Sequence, residues 1–354
     1  MISPSVAVVI AYHNGSAWIE RALASVKDQT FSPSETIVVD DGSNKDESEK
    51  LAALQDKFSF RILTQPNSGQ SAARNNGVMN SNSDYVCILD QDDYFLESHN
   101  ETLVNLVDFN NDKFGFAYGD LIRVSETGEV LSDSCINVNI RHPHTDINNM
   151  VRHNMYILPS ATLIRRSAFL DVGGFDSSLQ GYEDDDLFLR MFLKGYVNKF
   201  TPEAVSAWTI NTNSTSFSEA MSRSRFLYLN KLVALFPLGT DQGEKIFANS
   251  LFPRFAFKFA EDVIESALSN APVFKERQSR LTSFVRLLKS TTGVSFGTKT
   301  FYVGVTLPLV RFSQGALKTF LKTILYLAPL SRVFRIKSLD EFVARYSSSK
   351  KEVR

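Results

Sequence analysis

Short apolar runs that alternate with helical patterns dominate the first 120 residues and limit this region to an α/β fold. The four runs are rich in β-branched residues, and they are Val6–Ala11, Thr36–Val39, Phe60–Leu63 and Tyr85–Leu89. Strands that alternate with helices form βαβ units, in which the strands are parallel. Each run ends in a polar cluster, where open α/β sheets bind their ligands. The sequence therefore predicts a Rossmann-like, mainly parallel sheet flanked by helices, with a ligand site at the carboxyl ends of its strands.

Further elements follow this region. Phe116–Val124 and Ser160–Arg165 have the pattern of strands, and residues 126–129 have the composition of a hairpin turn. Residues 133–150 are polar and are predicted to form a loop, whereas Asp184–Lys194 is predicted to form a helix.

The pattern becomes helical beyond about residue 218, with prolines separating the segments. We therefore predict one α/β domain over residues 1–217, with halves at 1–120 and 121–217. A mostly helical C-terminal region is expected over residues 218–354.

Charge is distributed unevenly along the chain, although the net charge is only −1. Residues 277–339 contain 11 Lys and Arg and no Asp or Glu, whereas residues 1–276 carry a net charge of −13. A basic segment of this kind indicates an anionic partner. Nucleic acid is not expected, because the segment contains no nucleic-acid-binding motif. An anionic membrane surface is the alternative, and a homo-oligomer built by the helical region also stays open.

One helical stripe in the basic segment suits two roles. Its apolar positions are Leu317, Phe320, Leu321, Ile324, Leu325 and Ala328. They can face the core of their own domain, or they can lie on the inner leaflet of a membrane with Lys318 and Lys322 elsewhere on the helix. The sequence leaves both roles open.

The cysteines and the N-terminal residues indicate a reducing compartment. Cys87 and Cys135 are too few for a disulfide framework. Val6–Ala11 has no basic residue before it and no cleavage site of small residues, so it is predicted as a strand rather than a signal peptide. No window reaches the roughly 18 apolar residues that a spanning helix needs. We expect a cytoplasmic protein, either free or peripheral on the inner face of the membrane.

Two acidic clusters directly follow predicted strands. Residues 40–43 (DDGS) can accept hydrogen bonds from a uracil-like base or from ribose hydroxyls, or they can simply close the strand as a turn. Residues 90–93 (DQDD) crowd three carboxylates together, which favours bound Mg²⁺ or Mn²⁺ but also suits a solvated acidic turn. Neither cluster alone decides between its two roles.

Two further segments carry candidate chemistry. Residues 183–186 (EDDD) open a predicted helix, where acids are stabilised by the helix dipole and where one carboxylate can also serve as a general base. Residues 67–77 (NSGQSAARNNG) lead from a polar loop into a helix whose backbone N–H groups can cradle an anion, with Arg74 and Asn75 one turn further on.

Taken together and in this order, these segments resemble the family 2 glycosyltransferases, which are inverting enzymes with a GT-A fold. The matching segments are Val8–Asn14, Asp40–Ser43, Asn67–Gly77, Leu89–Asp93, Arg165–Asp176 and Glu183–Leu187. The region beyond about residue 218 is not covered by the resemblance.

The resemblance implies a role for each matching position. Asp184 takes the place of the catalytic base, and Asp92 would hold a Mn²⁺ or Mg²⁺ ion. Glu183 and Asn211 would lie near the diphosphate or the acceptor, although many relatives carry a histidine at the position that Asn211 matches. The implied nucleotide-binding residues are Tyr12, His13, Asn14, Asp41, Arg74, Asn75 and Asp90.

The expected function is metal-dependent, inverting transfer of a sugar from a UDP-linked nucleotide sugar to a hydroxyl of a saccharide or lipid-linked saccharide in surface polysaccharide synthesis. One alternative is a nucleotidyltransferase, but residues 11–16 lack the basic, glycine-rich loop that binds a triphosphate. The other is a catalytically silent protein that binds sugar nucleotides or glycans. Asp92 and Asp184 argue against a silent protein, whereas Asn211 keeps that alternative open.

Overall fold

The computed structural model describes residues 4–135, 142–210 and 219–326. Within these residues, nine strands form one sheet. The strands are β1 Val6–Tyr12, β2 Glu35–Asp41, β3 Arg61–Gln65, β4 Tyr85–Asp90, β5 Tyr94–Phe95, β6 Phe114–Ser125, β7 Val130–Ser132, β8 Thr162–Arg165 and β9 Val197–Ile210. Their order along the sheet is β3-β2-β1-β4-β8-β6-β9-β5, and β7 pairs with β6.

The N-terminal strands form the parallel sheet that the sequence predicts. β3, β2, β1 and β4 pair in parallel, with Tyr12 beside Asp40 and Ala11 beside Asp90. β1 is buried along its whole length, which explains its unbroken run of apolar residues. Because the carboxyl ends of parallel strands share one edge, the polar residues that follow β1, β2 and β4 meet there.

The other half of the sheet is mixed rather than parallel. β8 is antiparallel to both β4 and β6, and β5 is antiparallel to β9, whereas β6 and β9 are parallel. The prediction of a mainly parallel sheet therefore describes only the N-terminal half. β9 is absent from the sequence prediction because its first half carries Pro202 and mostly polar residues, which do not show a strand pattern.

Helices flank the sheet and build the C-terminal region, as predicted. Before residue 218 they are α1 Ile19–Lys27, α2 Lys45–Ala53, α3 Gln70–Met79, α4 His99–Val104, α5 Ile147–Arg152, α6 Arg166–Asp171 and α7 Glu183–Leu193. After it they are α8 Glu219–Leu235, α9 Asp241–Ile246, α10 Phe252–Leu268, α11 Phe274–Ser290, α12 Phe296–Arg311 and α13 Gln314–Tyr326.

α3 packs closely on the parallel strands. Gly77 lies against Val9 of β1, and a Cβ atom on Gly77 would come within 2.3 Å of Val9 Cγ1. Only glycine permits this approach, because any side chain would push the helix off the sheet. The close contact fixes the helix whose N-terminus borders the ligand edge of the sheet.

Two compact units divide the chain. The first runs to Ala256 and includes residues 290–294, whereas the second comprises residues 257–289 and continues from Ser295. α8 and α9 therefore belong to the first unit, although the sequence pattern suggests that the first domain ends at residue 217.

The second unit is a helical assembly with an aromatic core. The Phe284 ring on α11 lies 5.2 Å from the Phe259 ring on α10 and 5.9 Å from the Tyr302 ring on α12. In the described part of the chain, every helix is too short or too polar to cross a membrane.

Candidate active site

A cleft of about 580 Å³ opens at the carboxyl ends of the parallel strands. The ends of β1, β2 and β4 line it together with the N-termini of α3 and α7. Asn14 and Asn75 do not line it, and Asn211 lies outside the described residues. The predicted site residues that do line it are Tyr12, His13, Asp41, Arg74, Asp90, Asp92, Glu183 and Asp184.

Asp41 shapes the loop that leads into α3. Its carboxylate accepts hydrogen bonds from the backbone N–H groups of Ser68 and Gly69 and from the side-chain amide of Gln65, each at 2.8 Å. Gly69 has a φ of +88°, a backbone conformation that favours glycine. Any bond from Asp41 to a ligand is therefore additional to three bonds that it makes within the chain.

The three residues at the end of β1 differ in their surroundings. The Tyr12 hydroxyl donates to Glu47 Oε2 at 3.0 Å, and burial together with that carboxylate raises the pKa of Tyr12. His13 is exposed at the cleft. Asn14 Oδ1 accepts hydrogen bonds from the backbone N–H and from the side-chain amide of Asn44, both at 3.0 Å. Asn14 thus holds the loop before α2, whereas His13 remains accessible from the cleft.

Arg74 joins the two acidic turns of the site. Its Nη2 lies 2.5 Å from Asp90 Oδ1, and its Nη1 lies 3.1 Å from Glu183 Oε1. The side chain is only 2% exposed, and its guanidinium carbon lies 5.3 Å from the centre of the Phe175 ring. Burial by itself lowers the pKa of Arg74, but the carboxylates of Asp90 and Glu183 outweigh it and raise that pKa above its usual value. Arg74 therefore stays charged and neutralises one carboxylate in each turn.

Asn75 holds the glycine turn that precedes α7. Its Nδ2 donates to the Phe175 carbonyl and its Oδ1 accepts from the Phe175 N–H, both at 2.8 Å. Gly174 has a φ of +68°, and a Cβ there would come within 2.5 Å of Asn75 Oδ1. These contacts give Asn75 a structural place beside the cleft rather than in its lining.

The turn at residues 90–93 contains a buried carboxylate. Asp93 accepts a hydrogen bond from the Thr209 N–H at 2.9 Å and another from the Ser160 hydroxyl. Burial is the main cause that raises the pKa of Asp93 well above its usual value, and the negative charges of Asp90 and Asp92 add to it. A further negative charge on Asp93 is therefore disfavoured at this turn.

The same turn suits a divalent cation that arrives with a nucleotide. No group of three His, Cys, Asp or Glu side chains that could hold a metal occurs within the described ranges. Mg²⁺ bound with a nucleotide commonly needs only one or two carboxylates, because phosphate oxygens and water supply the other ligands. Asp92 lines the cleft, and added positive charge would relieve the repulsion among Asp90, Asp92 and Asp93. The residues therefore fit a cation shared with a diphosphate rather than one enclosed by protein.

Three of the four acids that open α7 are neutralised by cations from other parts of the first unit or from α7 itself. Four cations take part, and they lie on α3, α7, α8 and α10. The pairs are Glu183–Arg74 at 3.1 Å, Asp185–Arg254, Asp186–Lys231 at 2.6 Å and Asp186–Arg190 at 2.8 Å. The acidic run is thus divided residue by residue among separate partners.

Asp184 is the acid of this turn that has no ion pair within the described residues. Its Oδ1 accepts a hydrogen bond from the Asp185 N–H at 2.8 Å. Burial, followed by the charges of Asp185 and Glu183, raises the pKa of Asp184 well above its usual range, while Arg74 acts in the opposite direction. A raised pKa makes a carboxylate a stronger base, which suits the removal of a proton from a hydroxyl group.

Arg254 supports this carboxylate indirectly. It is buried, it pairs with Asp185, and its guanidinium carbon lies 5.5 Å from the Tyr182 ring and 5.4 Å from the Tyr228 ring. Asp185 in turn provides the N–H that binds Asp184 Oδ1. Arg254 on α10 therefore fixes the turn that orients Asp184.

Comparison with protein families assigns the domain that carries this cleft. Residues 7–173 match the model described as glycosyl transferase family 2. Residues 7–173 therefore belong to a family 2 glycosyltransferase domain. The resemblance stated from the sequence motifs is thereby confirmed.

Relatives of this glycosyltransferase domain occur in several bacteria. The uncharacterized glycosyltransferase YwdF of Bacillus subtilis is 26% identical over 235 residues, which cover 66% of this chain and 85% of YwdF. An uncharacterized glycosyltransferase of Rickettsia bellii is 32% identical over 126 residues, 36% of this chain. The match covers only 18% of that Rickettsia protein, so the shared part is a small portion of a longer relative.

Solved structures share the fold. Staphylococcus aureus TarS 1-349 in complex with UDP-GlcNAc superposes with a TM-score of 0.61 at 16% identity, covering 89% of this chain and 88% of that chain. TarS 1-349 on its own gives a TM-score of 0.58 at 17% identity. This likeness confirms the predicted GT-A type of fold with its helical C-terminal region.

Sequence reasoning missed several residues of the glycosyltransferase cleft. Trp18 and Trp208 line it, although the sequence motifs assign no role to either. Arg21 Nη2 donates to the Asp92 carbonyl oxygen at 2.6 Å and thereby holds the backbone of the acidic turn. Arg254 lies 69 residues from its partner Asp185, so no local pattern could reveal the pair.

Proposed function

We propose that this chain transfers a sugar from a nucleotide sugar to a hydroxyl group of an acceptor, with inversion at the anomeric carbon. The observation that supports the proposal most strongly is Asp184. It is a carboxylate in the cleft with a raised pKa and with no ion pair within the described residues.

The proposed reaction is a single displacement. Asp184 accepts the proton of the acceptor hydroxyl while the hydroxyl oxygen forms a bond to the anomeric carbon. The bond from that carbon to the nucleoside diphosphate breaks on the opposite face, and the electron pair leaves with the diphosphate. Attack from the opposite face inverts the configuration of the carbon.

A UDP-linked sugar is the donor that we propose. The TarS structure that shares the fold is a complex with UDP-GlcNAc. In this chain, His13 and Asp41 lie at the ends of β1 and β2, where an open sheet of this kind binds nucleotides. The Asp41 carboxylate can accept a hydrogen bond, and the exposed His13 ring can pack on a base.

A Mn²⁺ or Mg²⁺ ion is the cofactor that we propose, held by Asp92 together with the diphosphate of the donor. Such an ion would neutralise the charge that develops on the departing diphosphate. Arg74 stays charged and pairs with Asp90 and Glu183, so it keeps both acidic turns in place around the donor.

We propose a saccharide or a lipid-linked saccharide as the acceptor, used in the synthesis of a surface polysaccharide. Trp18 and Trp208 line the cleft, and large flat side chains of this kind offer apolar area to the C–H face of a sugar ring. The acceptor must present a hydroxyl to Asp184, since that is the group from which the proposed base removes a proton.

A donor panel tests the proposed function. The protein is incubated with UDP-, GDP- and dTDP-linked sugars and a mixture of saccharide acceptors, with Mn²⁺ or with EDTA. We expect acceptor-dependent release of UDP that EDTA abolishes, and a product whose anomeric configuration is inverted by NMR. Release of pyrophosphate when a nucleoside triphosphate and a sugar 1-phosphate are supplied instead would identify a nucleotidyltransferase, and binding of donors without turnover would identify a silent binding protein.

A further inference from the structure

Gln91 belongs to the acidic turn at residues 90–93, yet its side chain binds the residue that directly follows β1. Gln91 Oε1 accepts a hydrogen bond from the His13 N–H at 2.9 Å, and Gln91 Nε2 donates to the His13 carbonyl oxygen at 3.3 Å. A residue on a neighbouring antiparallel strand uses the same two backbone groups when it pairs in a sheet. The side-chain amide therefore fixes the backbone of His13 against the acidic turn.

Gly15 leaves the space that the Gln91 amide occupies. A Cβ atom on Gly15 would come within 2.2 Å of Gln91 Oε1, which is too close for two unbonded atoms. The φ of Gly15 is not positive, so an alanine there is opposed by this contact rather than by its backbone conformation. We name Gln91, His13 and Gly15 the Gln91 clamp.

The ring of His13 is held in one protonation form. Nδ1 lies 3.0 Å from the Asp41 carbonyl oxygen, which can only accept, so Nδ1 carries the proton. Nε2 then acts as an acceptor, and it lies 3.1 Å from Asn14 Nδ2. Both ring nitrogens are thus used within the chain, and the exposed ring offers its face to a ligand. Nucleotide bases stack on side chains of this kind.

A neutral amide suits position 91 because the clamp needs both a donor and an acceptor. A carboxylate there could accept from the His13 N–H but could not donate to the His13 carbonyl oxygen. It would also add a further negative charge to a turn that already contains Asp90, Asp92 and Asp93. Gln91 therefore acts through hydrogen bonds and not through charge, unlike its neighbours in the turn.

We propose that Gln91 is a positioning residue for the nucleotide base. It holds His13 at a fixed place relative to Asp90 and Asp92, which line the same cleft, so that one donor meets both the ring and the acidic turn. This role rests on the proposed binding of a UDP-linked sugar. Because Gln91 acts at the base, its loss weakens nucleotide binding by the same factor with and without a cation, although Gln91 directly precedes Asp92.

Calorimetry of UDP binding to the full chain, in Mn²⁺ and in EDTA, tests this role. Gln91→Met keeps the length of the side chain and removes both hydrogen bonds. We expect UDP affinity to fall about tenfold in both conditions, as for the loss of two ordinary hydrogen bonds. The KM for the donor should rise while kcat at saturating donor is retained.

Two further variants provide a second route to the same change and a matched control. Gly15→Ala displaces the Gln91 amide without altering it, and it should reproduce the loss of UDP affinity. Gln55→Met alters an exposed amide between α2 and β3, whose Nε2 donates to the Phe60 carbonyl oxygen at 3.0 Å. It should leave UDP affinity unchanged, because Gln55 does not line the cleft.

Two more measurements separate a role through His13 from a direct contact with the nucleotide. In a His13→Ala background, Gln91→Met should have no further effect on UDP affinity, because the ring that it positions is gone. Additive losses would show direct binding by Gln91 and would overturn the proposal. Without nucleotide, the His13 amide hydrogen should exchange with solvent about tenfold faster or more in Gln91→Met and in Gly15→Ala than in wild type.

The exchange measurement keeps this inference distinguishable from the proposed function. Unchanged exchange of the His13 amide would show that the Gln91 clamp does not form. Faster exchange with unchanged UDP affinity would show that the clamp does not position the base. Either result overturns the proposal. Wild-type protein that binds no UDP would overturn the proposed donor, and the role of Gln91 with it, even where the exchange result shows that the clamp forms.

Discussion

Two acidic turns line the same cleft, but they handle their negative charge differently. At residues 90–93, the buried Asp93 is bonded by the neutral donors Thr209 and Ser160. At residues 183–186, three of the four carboxylates have cationic partners, whereas Asp184 has none among the residues that the structure describes. Arg74 neutralises Asp90 in the first turn and Glu183 in the second. The buried Asp93 still lets the first turn gain from positive charge that arrives with a substrate, whereas the second turn is neutralised in advance except at the proposed base.

Removal of the proposed base should have the largest effect. Asp184→Asn keeps the size of the side chain and the acceptor for the Asp185 N–H but cannot take up a proton. We expect kcat to fall about 10³-fold or more, with nucleotide affinity unchanged by calorimetry. The matched control is Asp46→Asn, which changes an exposed acid in the first turn of α2 and should keep full activity. Near wild-type turnover of Asp184→Asn would exclude this residue as the base.

The second-largest effect is expected on the free energy of unfolding, when Arg254, one of the cations that neutralise the second turn, is removed. Arg254→Met leaves the buried Asp185 carboxylate without its ion pair. An uncompensated buried charge costs about 3–5 kcal/mol, so the urea midpoint of unfolding should fall sharply. The double variant with Asp185→Asn should recover much of this loss, because the unpaired charge is gone.

An exposed ion pair provides the contrast for that experiment. Lys50→Met breaks the pairs that Lys50 forms on α2 with Asp46 at 2.8 Å and with Glu47 at 3.2 Å. Surface pairs contribute little, so the midpoint should not change measurably. If Arg254→Met behaved like Lys50→Met, the second turn would not depend on its cations as we describe.

Loss of Asp92 from the first turn should weaken the binding of substrate and leave folding unchanged. Asp92→Ala removes the carboxylate that is proposed to share a cation with the diphosphate. We expect UDP affinity in the presence of Mn²⁺ to fall about 100-fold, and UDP affinity in EDTA to remain the same. Equal loss with and without Mn²⁺ in calorimetry would count against the metal role.

Asp93 should reveal the buried carboxylate of the first turn through the pH dependence of stability. The pKa of Asp93 is higher in the folded protein than in the unfolded chain. Above the ordinary carboxyl pKa, the folded protein therefore binds more protons than the unfolded chain. Because of this difference, the free energy of unfolding decreases as the pH rises. Asp93→Asn removes the titration, so we expect it to gain stability over wild type as the pH rises towards 7 and to have no advantage near pH 4. A difference between the two proteins that does not vary with pH would contradict this explanation.

The parallel half of the fold could be predicted because burial and sequence agree there. β1 is buried at every position, so its apolar run is unbroken, and the strands beside it show the same signal. α5 was not predicted within the loop assigned to residues 133–150. It has only six residues, too few to show helical spacing, and is capped by Asp146, which accepts a hydrogen bond from the Asn149 N–H.

The lining of the cleft could be predicted in part, because its acidic turns are local motifs. Asp92 and Asp184 lie in the cleft as the motifs suggest. The sequence could not reveal that Asn14 and Asn75 bind neighbouring loops, since an asparagine in a polar segment looks the same in either role. It could not reveal Arg254 either, because that ion pair forms only when distant helices pack together.

The pH dependence of kcat/KM for the wild-type protein tests the central claim most directly, because it reports the pKa of the essential base in the free enzyme. Our account assigns that base to Asp184, whose pKa is raised by burial and by the charges of Asp185 and Glu183. It predicts that the rate falls on acidification through a pKa well above the ordinary aspartate value of about 3.9. A rate that stays constant down to that ordinary value would contradict the account.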